Sequence, residues 1–205
     1  VDNAGNIYIT GEATSALNGS DIVTRKYDTN GNLLWSVAKN GSANADDKGL
    51  GITVDNSGDV YVCGYISNTG TAKDFAVIRY NSSGVEQWTY TKNGTANADD
   101  AANAIVSFGN KLYITGNVNN ASKGADIYTT RLNSNNANVN WSVTENGNAS
   151  MDDQGLDIKV QGNDVLVCGG IFNSFTKQDY FFAKYNGTNG VTNFVKQYDA
   201  FNGDD

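Results

Sequence analysis

Three pairs of adjacent aspartates have the clearest capacity for chemistry: Asp46 and Asp47, Asp99 and Asp100, and Asp152 and Asp153. Two neighbouring carboxylates, completed by backbone carbonyl oxygens, could bind Ca²⁺, which takes about six to eight oxygen ligands. The spacing of an EF-hand loop is absent, and a carboxylate that accepts backbone N–H bonds stabilises a chain corner without metal. Both interpretations stay open, with the structural one favoured and no cofactor expected apart from Ca²⁺.

The chain contains no histidine. This excludes a Ser-His-Asp or Cys-His nucleophile system and every histidine-ligated metal site supplied by this chain alone. No separate cluster of carboxylate, tyrosine and arginine stands out as a reaction centre either. The sequence therefore predicts no catalytic residue.

Aromatic residues suggest a second kind of site, for contact with a sugar or a peptide. Tyr65, Phe172 and Phe175 lie near connections that always span ten residues, as from Gly64 to Asp74, while their sequences vary. Such loops commonly carry function. Asp157 replaces a small residue and could face a central channel. The alternative is that the rings fill gaps beneath the loops.

Basic residues recur at one spacing and could surround an anionic ligand; they are Lys26, Arg79, Arg131 and Lys184. The simpler interpretation is that each lies along an aromatic ring or pairs with a carboxylate.

An internal repeat must position all of these residues. Its period is 53, and residues 1–53 laid on residues 54–106 give 19 identities. Two further copies follow, since Trp35, Trp88, Trp141 and Phe194 are evenly spaced, with a one-residue deletion in the third copy at its first turn, SFGN. The repeats are approximately 1–53, 54–105, 106–158 and 159–205, and together they form a single region, 1–205.

Each copy predicts four short strands and no helix, because apolar runs alternate with turns rich in Asn, Asp and Gly. The segments IYITG, VYVCG, LYITG and VLVCG are apolar or small on both faces. A sheet with no polar face must be covered on both sides, as when four-stranded blades stand around an axis. The predicted fold is an all-β propeller of four antiparallel blades.

The motif VDNSGDVYVCGY, followed by DFAVIRYNSSGVEQWTY, resembles the SBBP-type bacterial β-propeller repeat. The resemblance covers all four copies. It implies a secreted or surface-attached bacterial protein, hence an extracellular or cell-surface location, and it does not identify a ligand.

Counting strands gives fifteen where four blades need sixteen, because the first blade lacks its innermost strand. We therefore expect an unpaired edge that invites another chain. The four blades either close alone or form half of a larger ring that a homodimer completes. Cys63 and Cys168 share one repeat position two blades apart, too far for a disulfide, which predicts two free buried thiols.

Charge limits the partners further. With 14 basic and 22 acidic residues the net charge is −8, which disfavours nucleic acid. The apolar segments are strand-sized, so no membrane span is expected. Three functions remain: a non-catalytic binding or structural module with a protein or glycan partner, a propeller enzyme of glycosidase, lyase or quinone-dehydrogenase type, and a Ca²⁺-stabilised adhesin spacer. The first is preferred.

Overall fold

The structure is a computed structural model that describes residues 1–15, 19–175 and 177–199. These residues form fifteen strands in four sheets and no helix. Blade 1 has three strands, β1 (Ile7–Ser15), β2 (Gly19–Tyr27) and β3 (Leu33–Lys39). Blade 2 has four, β4 (Lys48–Val54), β5 (Val60–Asn68), β6 (Ala72–Tyr80) and β7 (Glu86–Lys92).

Blades 3 and 4 also have four strands each. Blade 3 consists of β8 (Ala101–Phe108), β9 (Lys111–Asn120), β10 (Gly124–Asn133) and β11 (Val139–Glu145). Blade 4 consists of β12 (Gln154–Gln161), β13 (Asp164–Asn173), β14 (Lys177–Asn186) and β15 (Thr192–Tyr198). In every blade neighbouring strands are consecutive in the chain and antiparallel. This is the predicted arrangement, including the missing innermost strand of blade 1.

Asx turns join the first two strands of blade 2 and explain the VDNSGD motif. The Asp55 carboxylate accepts N–H bonds from Ser57 at 2.9 Å and Asp59 at 3.0 Å, and the Tyr61 hydroxyl at 2.9 Å. Gly58 adopts a φ of 81°, a conformation that glycine adopts without strain. Burial and the nearby Asp55 raise the pKa of Tyr61 to about 12, so this hydroxyl stays a donor.

The second and third strands of each blade are longer than the sequence suggests. In blade 2 only residues 69–71 separate β5 from β6, and in blade 3 only residues 121–123 separate β9 from β10. The constant ten-residue spacing therefore reflects two paired strands and a tight hairpin, and the expectation of longer loops here was wrong. Ala72 takes the left-handed conformation at φ 61°, which completes a turn that lacks a glycine there.

Successive blades pack face to face. We call the face toward the following blade the forward face and the opposite one the backward face. The forward face of blade 2, with Tyr61, Cys63, Phe75 and Val77, packs on Leu112, Ile114, Val118, Tyr128 and Leu132 of blade 3. Similar clusters join blades 1 and 2 and blades 3 and 4. This is why both faces of the second strand are apolar.

Polar bonds join the blades at both the inner and the outer edge. Inner strands touch through the Thr53 and Ser107 hydroxyls, 3.0 Å apart, and the Asn103 amide donates to the Gly155 carbonyl at 2.9 Å. Outer strands present the repeated tryptophans, whose Nε1–H groups donate to carbonyls of the next blade: Trp35 to Ser82, Trp88 to Ser134 and Trp141 to Gly187. The tryptophans are therefore blade connectors.

The two thiols differ. Cys63 is free and buried as predicted, whereas Cys168 is free and exposed, so the prediction of two buried thiols was wrong for Cys168. The reason is position: Cys63 lies under blade 3, while Cys168 lies on the uncovered forward face of blade 4. Burial raises the pKa of the Cys63 thiol far above its usual range.

Candidate functional site

The second aspartate of each pair forms a clamp between blades. Asp47 Oδ2 accepts the Gly41 N–H at 2.7 Å, Oδ1 accepts the Ser67 N–H at 2.6 Å, and the Asp47 N–H donates to the Ser20 carbonyl at 2.6 Å. The same three contacts recur, at similar distances, around Asp100 and Asp153. Burial raises the pKa of all three carboxyls, while the N–H bonds lower it.

Close backbone approach in the clamp requires a glycine, a requirement that the sequence analysis did not identify. A Cβ on Gly94 would lie 1.8 Å from the Asn119 carbonyl oxygen, and one on Gly41 would lie 2.1 Å from that of Ser67. The recurring Asn-Gly before each aspartate pair is the signal that could have revealed it. The clamp thus explains the KNG and ENG segments as structural.

The first aspartate of each pair lies nearer the surface. Asp46 Oδ1 accepts the Ser20 N–H at 3.0 Å, which is the largest of the contributions that lower its pKa, and Asp99 pairs with Lys73 at 3.2 Å. Among the described residues no three carboxylate or thiol groups converge as metal ligands. Both oxygens of each clamp aspartate already accept an N–H, and this arrangement suits a structural corner.

The structure does not bring the predicted aromatic site together. Tyr65 lies on blade 2 with Lys73 Nζ 5.0 Å from its ring centre, whereas Phe172 and Phe175 belong to blade 4. Phe172 is half-buried and its N–H donates to Asp153, while Phe175 is 90% exposed. Asp157 is exposed at a β-bulge of β12.

The basic residues each have local partners. Arg79 Nη2 pairs with Asp59 at 2.6 Å, and its Nη1 donates to the carbonyls of Ser134 and Asn135 on the next blade. Arg131 repeats this with blade 4, bonding the Gly187 and Thr188 carbonyls. Lys26 Nζ lies 5.2 Å from the Tyr8 ring centre, and Lys184 pairs with Asp164. They do not surround one ligand position.

A groove of about 620 Å³ opens between blades 2 and 3, at the end of the propeller opposite the aspartate clamps. It is lined mainly by the β4–β5 turn, by the end of β8 and by Ser134 and Asn135. Phe108 is 50% exposed at its edge. Amide side chains of Asn56, Asn110 and Asn135 are exposed around it. We call this the Phe108 groove.

Fixed charges form one wall of the Phe108 groove. The largely buried Asp59–Arg79 ion pair is held in place because Arg79 Nε also donates to Asp59 Oδ2 at 3.2 Å. Asp55 is tied into its own turn by two N–H bonds and the Tyr61 hydroxyl. The groove therefore offers a rigid polar wall beside an aromatic ring.

A difference in turn length accounts for the groove. Five residues, 55–59, connect the first two strands of blade 2, whereas only residues 109 and 110 do so in blade 3. The shorter turn leaves the blade 2 turn without a neighbour of equal height. The deletion at SFGN is visible in the sequence, but no residue type indicates that a shorter turn opens a groove beside it. The sequence analysis therefore did not predict this site.

Comparisons with known proteins establish the fold. No family model matches the chain. The regulatory protein FlaEY of Caulobacter vibrioides is 26% identical over 80% of this chain, which spans only 20% of that protein. Among the described residues no helix is both long and apolar enough to cross a membrane.

The solved structures with a fold similar to this chain include the following two. A quinohemoprotein alcohol dehydrogenase from Comamonas testosteroni matches with a TM-score of 0.58 at 15% identity, over 96% of this chain and 38% of the dehydrogenase. A neuraminidase-like protein, subtype N10, of A/little yellow-shouldered bat/Guatemala/060/2010 matches with a TM-score of 0.54 at 8% identity, over 96% of this chain and 56% of that protein. Both are propeller proteins, so this chain has the propeller fold, and its structural neighbours include enzymes.

Proposed function

We propose that the chain is a non-catalytic binding module of a secreted or surface protein, and that the Phe108 groove binds a neutral oligosaccharide. The observation that carries the proposal is a half-exposed aromatic ring at the edge of a concave, amide-rich groove. An aromatic face packs against the apolar face of a sugar ring, and amides bond its hydroxyls.

Charge selects the class of sugar. Asp55 and Asp59 line the groove, and the chain as a whole carries a net charge of −8. An anionic glycan would meet repulsion from both, since Arg79 already pairs with Asp59 and bonds two backbone carbonyls. A neutral glycan avoids this cost.

The groove is poorly suited to acid–base catalysis. A glycosidase needs two carboxyl groups free to donate and accept protons across the bond to be cleaved. Asp55 is held by three hydrogen bonds and Asp59 by the Arg79 guanidinium. Binding is therefore the function that these contacts favour, and a regulatory role like that in the name of FlaEY would act through it.

The test is an array of neutral oligosaccharides, including fragments of β-glucan, mannan and xylan, followed by calorimetry with the strongest binder. We expect Phe108→Ala to weaken binding about tenfold, the loss of one well-packed aromatic contact. Phe175→Ala is the matched control, because Phe175 is an exposed ring at the opposite end of the propeller. If no oligosaccharide on the array binds, or if Phe175→Ala alone weakens binding, the Phe108 groove is rejected as the site.

A further inference from the structure

One position at the start of the second strand changes its charge from blade to blade. It stands two residues before the residue that lies opposite the basic side chain of the third strand, and its occupants are Asn6, Asp59, Lys111 and Asp164. In blades 2 and 4 the aspartate forms an ion pair with that basic side chain, Arg79 or Lys184. Blade 3 instead has Lys111 near Arg131, and so carries two cations at the equivalent place.

Lys111 and Arg131 lie on the same face of blade 3. Side chains alternate along a strand, so Lys111 shares a face with Tyr113, which lies opposite Arg131. The two basic residues are therefore diagonal neighbours, about 7 to 8 Å apart between Cα atoms. Among the residues that the structure describes, neither forms an ion pair with a carboxylate. Like charges at neighbouring positions of one face destabilise a sheet, and an anion between them removes that cost.

The guanidinium of Arg131 differs from that of Arg79 along one edge. Both groups use Nη1 to donate to two carbonyls of the next blade. Arg79 uses the opposite edge for Asp59 Oδ2, with Nε at 3.2 Å and Nη2 at 2.6 Å. The Nε of Arg131 is buried and has no hydrogen-bond acceptor within the described part of the chain. The edge that holds a carboxylate in blade 2 therefore has none from the chain in blade 3.

We propose that the Nε–Nη2 edge of Arg131 and the ammonium group of Lys111 bind a carboxylate of a ligand, at the junction of blades 3 and 4. The contact between Asp59 and Arg79 shows in the same molecule how a carboxylate oxygen fits this edge. The planar donor edge of an arginine matches a carboxylate geometrically, which favours this group. A small organic acid and an acidic side chain of a peptide both supply it.

The site is separate from the Phe108 groove. That groove has the Asp59–Arg79 ion pair in its wall between blades 2 and 3, where an anion is repelled. Arg131 instead reaches toward Gly187 and Thr188 of blade 4. The two proposals therefore fail independently. The net charge of −8 opposes any anion, so we expect a dissociation constant on the order of a few millimolar for acetate.

NMR of the arginine Nε–H groups tests the site, because the chain has only three arginines. The full chain is titrated at pH 7 with sodium acetate, and sodium chloride keeps the ionic strength constant. We expect a saturable shift of the Arg131 signal. Arg79 is the control with an occupied edge, and Arg25, which donates to the Ser36 hydroxyl at the surface, reports non-specific effects. No saturation below about 100 mM, or an equal shift at Arg25, overturns the proposal.

Lys111→Asp supplies the carboxylate from the chain itself and reproduces the arrangement of blade 2. We expect it to abolish the acetate response, to move the Arg131 Nε–H signal toward that of Arg79, and to raise the urea midpoint. Lys123→Asp is the matched control, because it makes the same charge change in an exposed hairpin of the same blade. It should leave the acetate affinity within about twofold. If Lys111→Asp binds acetate as the parent chain does, the proposal is wrong.

Three further probes identify the source of the carboxylate: succinate, the peptide acetyl-Gly-Glu-Gly-amide and inorganic phosphate. Binding of the peptide at least fivefold tighter than acetate supports the site and identifies an acidic peptide as its ligand. Binding of succinate tighter than the peptide supports the site and identifies a small organic acid. Phosphate that binds more tightly than succinate overturns the assignment to a carboxylate, because charge alone would then decide the affinity.

Discussion

The two ends of the propeller differ in how closely the structure repeats from blade to blade. At one end the aspartate clamp recurs at all three blade junctions with nearly identical distances, for example 2.7 Å from Gly41, Gly94 and Gly147 to their aspartates. At the other end the turn has five residues in blade 2 and two in blade 3, and Phe108 stands beside the difference. In a repeat protein, what recurs holds the blades together, and what departs from the repeat shapes a place for a ligand.

Breaking a clamp has the largest expected effect. In the native protein both carboxylate oxygens of Asp100 accept backbone N–H donors, at 2.6 and 2.7 Å. Asp100→Asn replaces one of these oxygens with an amide group, whose N–H then faces a backbone N–H. A buried unsatisfied donor pair costs about 3 kcal/mol of unfolding free energy, measurable by urea denaturation.

Asp99→Asn is the matched control, one residue away. The Asp99 side chain is 63% exposed and pairs with Lys73 at the surface, so its loss costs at most about 0.5 kcal/mol. Equal losses from the two substitutions would contradict the division of roles within the pair.

Filling the Phe108 groove tests the contrast between the two ends of the propeller, because it should affect binding much more than stability. Replacing residues 108–110 with the sequence of residues 55–59 gives blade 3 the longer turn of blade 2. We expect unfolding free energy to change by less than about 1 kcal/mol, because a short loop insertion costs little. Affinity for the array-selected oligosaccharide should fall at least tenfold as the groove closes. The same graft with Phe108 retained separates loss of the ring from loss of the space.

Relieving strain at the clamp end should stabilise the chain. Ala72 has a φ of 61° where Gly19 and Gly124 occupy the same repeat position at 73° and 75°. Ala72→Gly should raise the unfolding free energy by about 1 kcal/mol, the usual cost of a left-handed residue with a Cβ. Ala121 lies in a blade 3 hairpin at a position where φ is not positive, so Ala121→Gly should instead lower the unfolding free energy slightly.

The pH dependence is the smallest expected effect. Because burial raises the pKa of Asp47, Asp100 and Asp153, the folded state binds protons more tightly than the unfolded state between the ordinary and the raised pKa. Stability should therefore fall as pH rises above the ordinary carboxyl range, and urea midpoints measured over a series of pH values would show this fall. Asp46, whose pKa is lowered, keeps its contribution until pH falls toward the ordinary value.

Much of the fold followed from the sequence, because strand order and burial repeat with Trp35, Trp88 and Trp141. Exposure at Cys168 did not follow, since burial at a repeat position depends on whether another blade covers it. The tight hairpins were also not predicted, because Ala72 and Lys177 adopt positive φ and neither residue type indicates this conformation. The Phe108 groove arises from residues that are missing.

Each clamp joins only two adjacent blades, and this determines which blades unfold locally first. Asp47 joins only blades 1 and 2, Asp100 only blades 2 and 3, and Asp153 only blades 3 and 4. Such nearest-neighbour coupling makes a linear array in which terminal units fray first. Amide hydrogens in β5 and β9 should exchange more slowly than those in β1 and β14, and a fifth blade would extend slow exchange to blade 4 without touching its sequence.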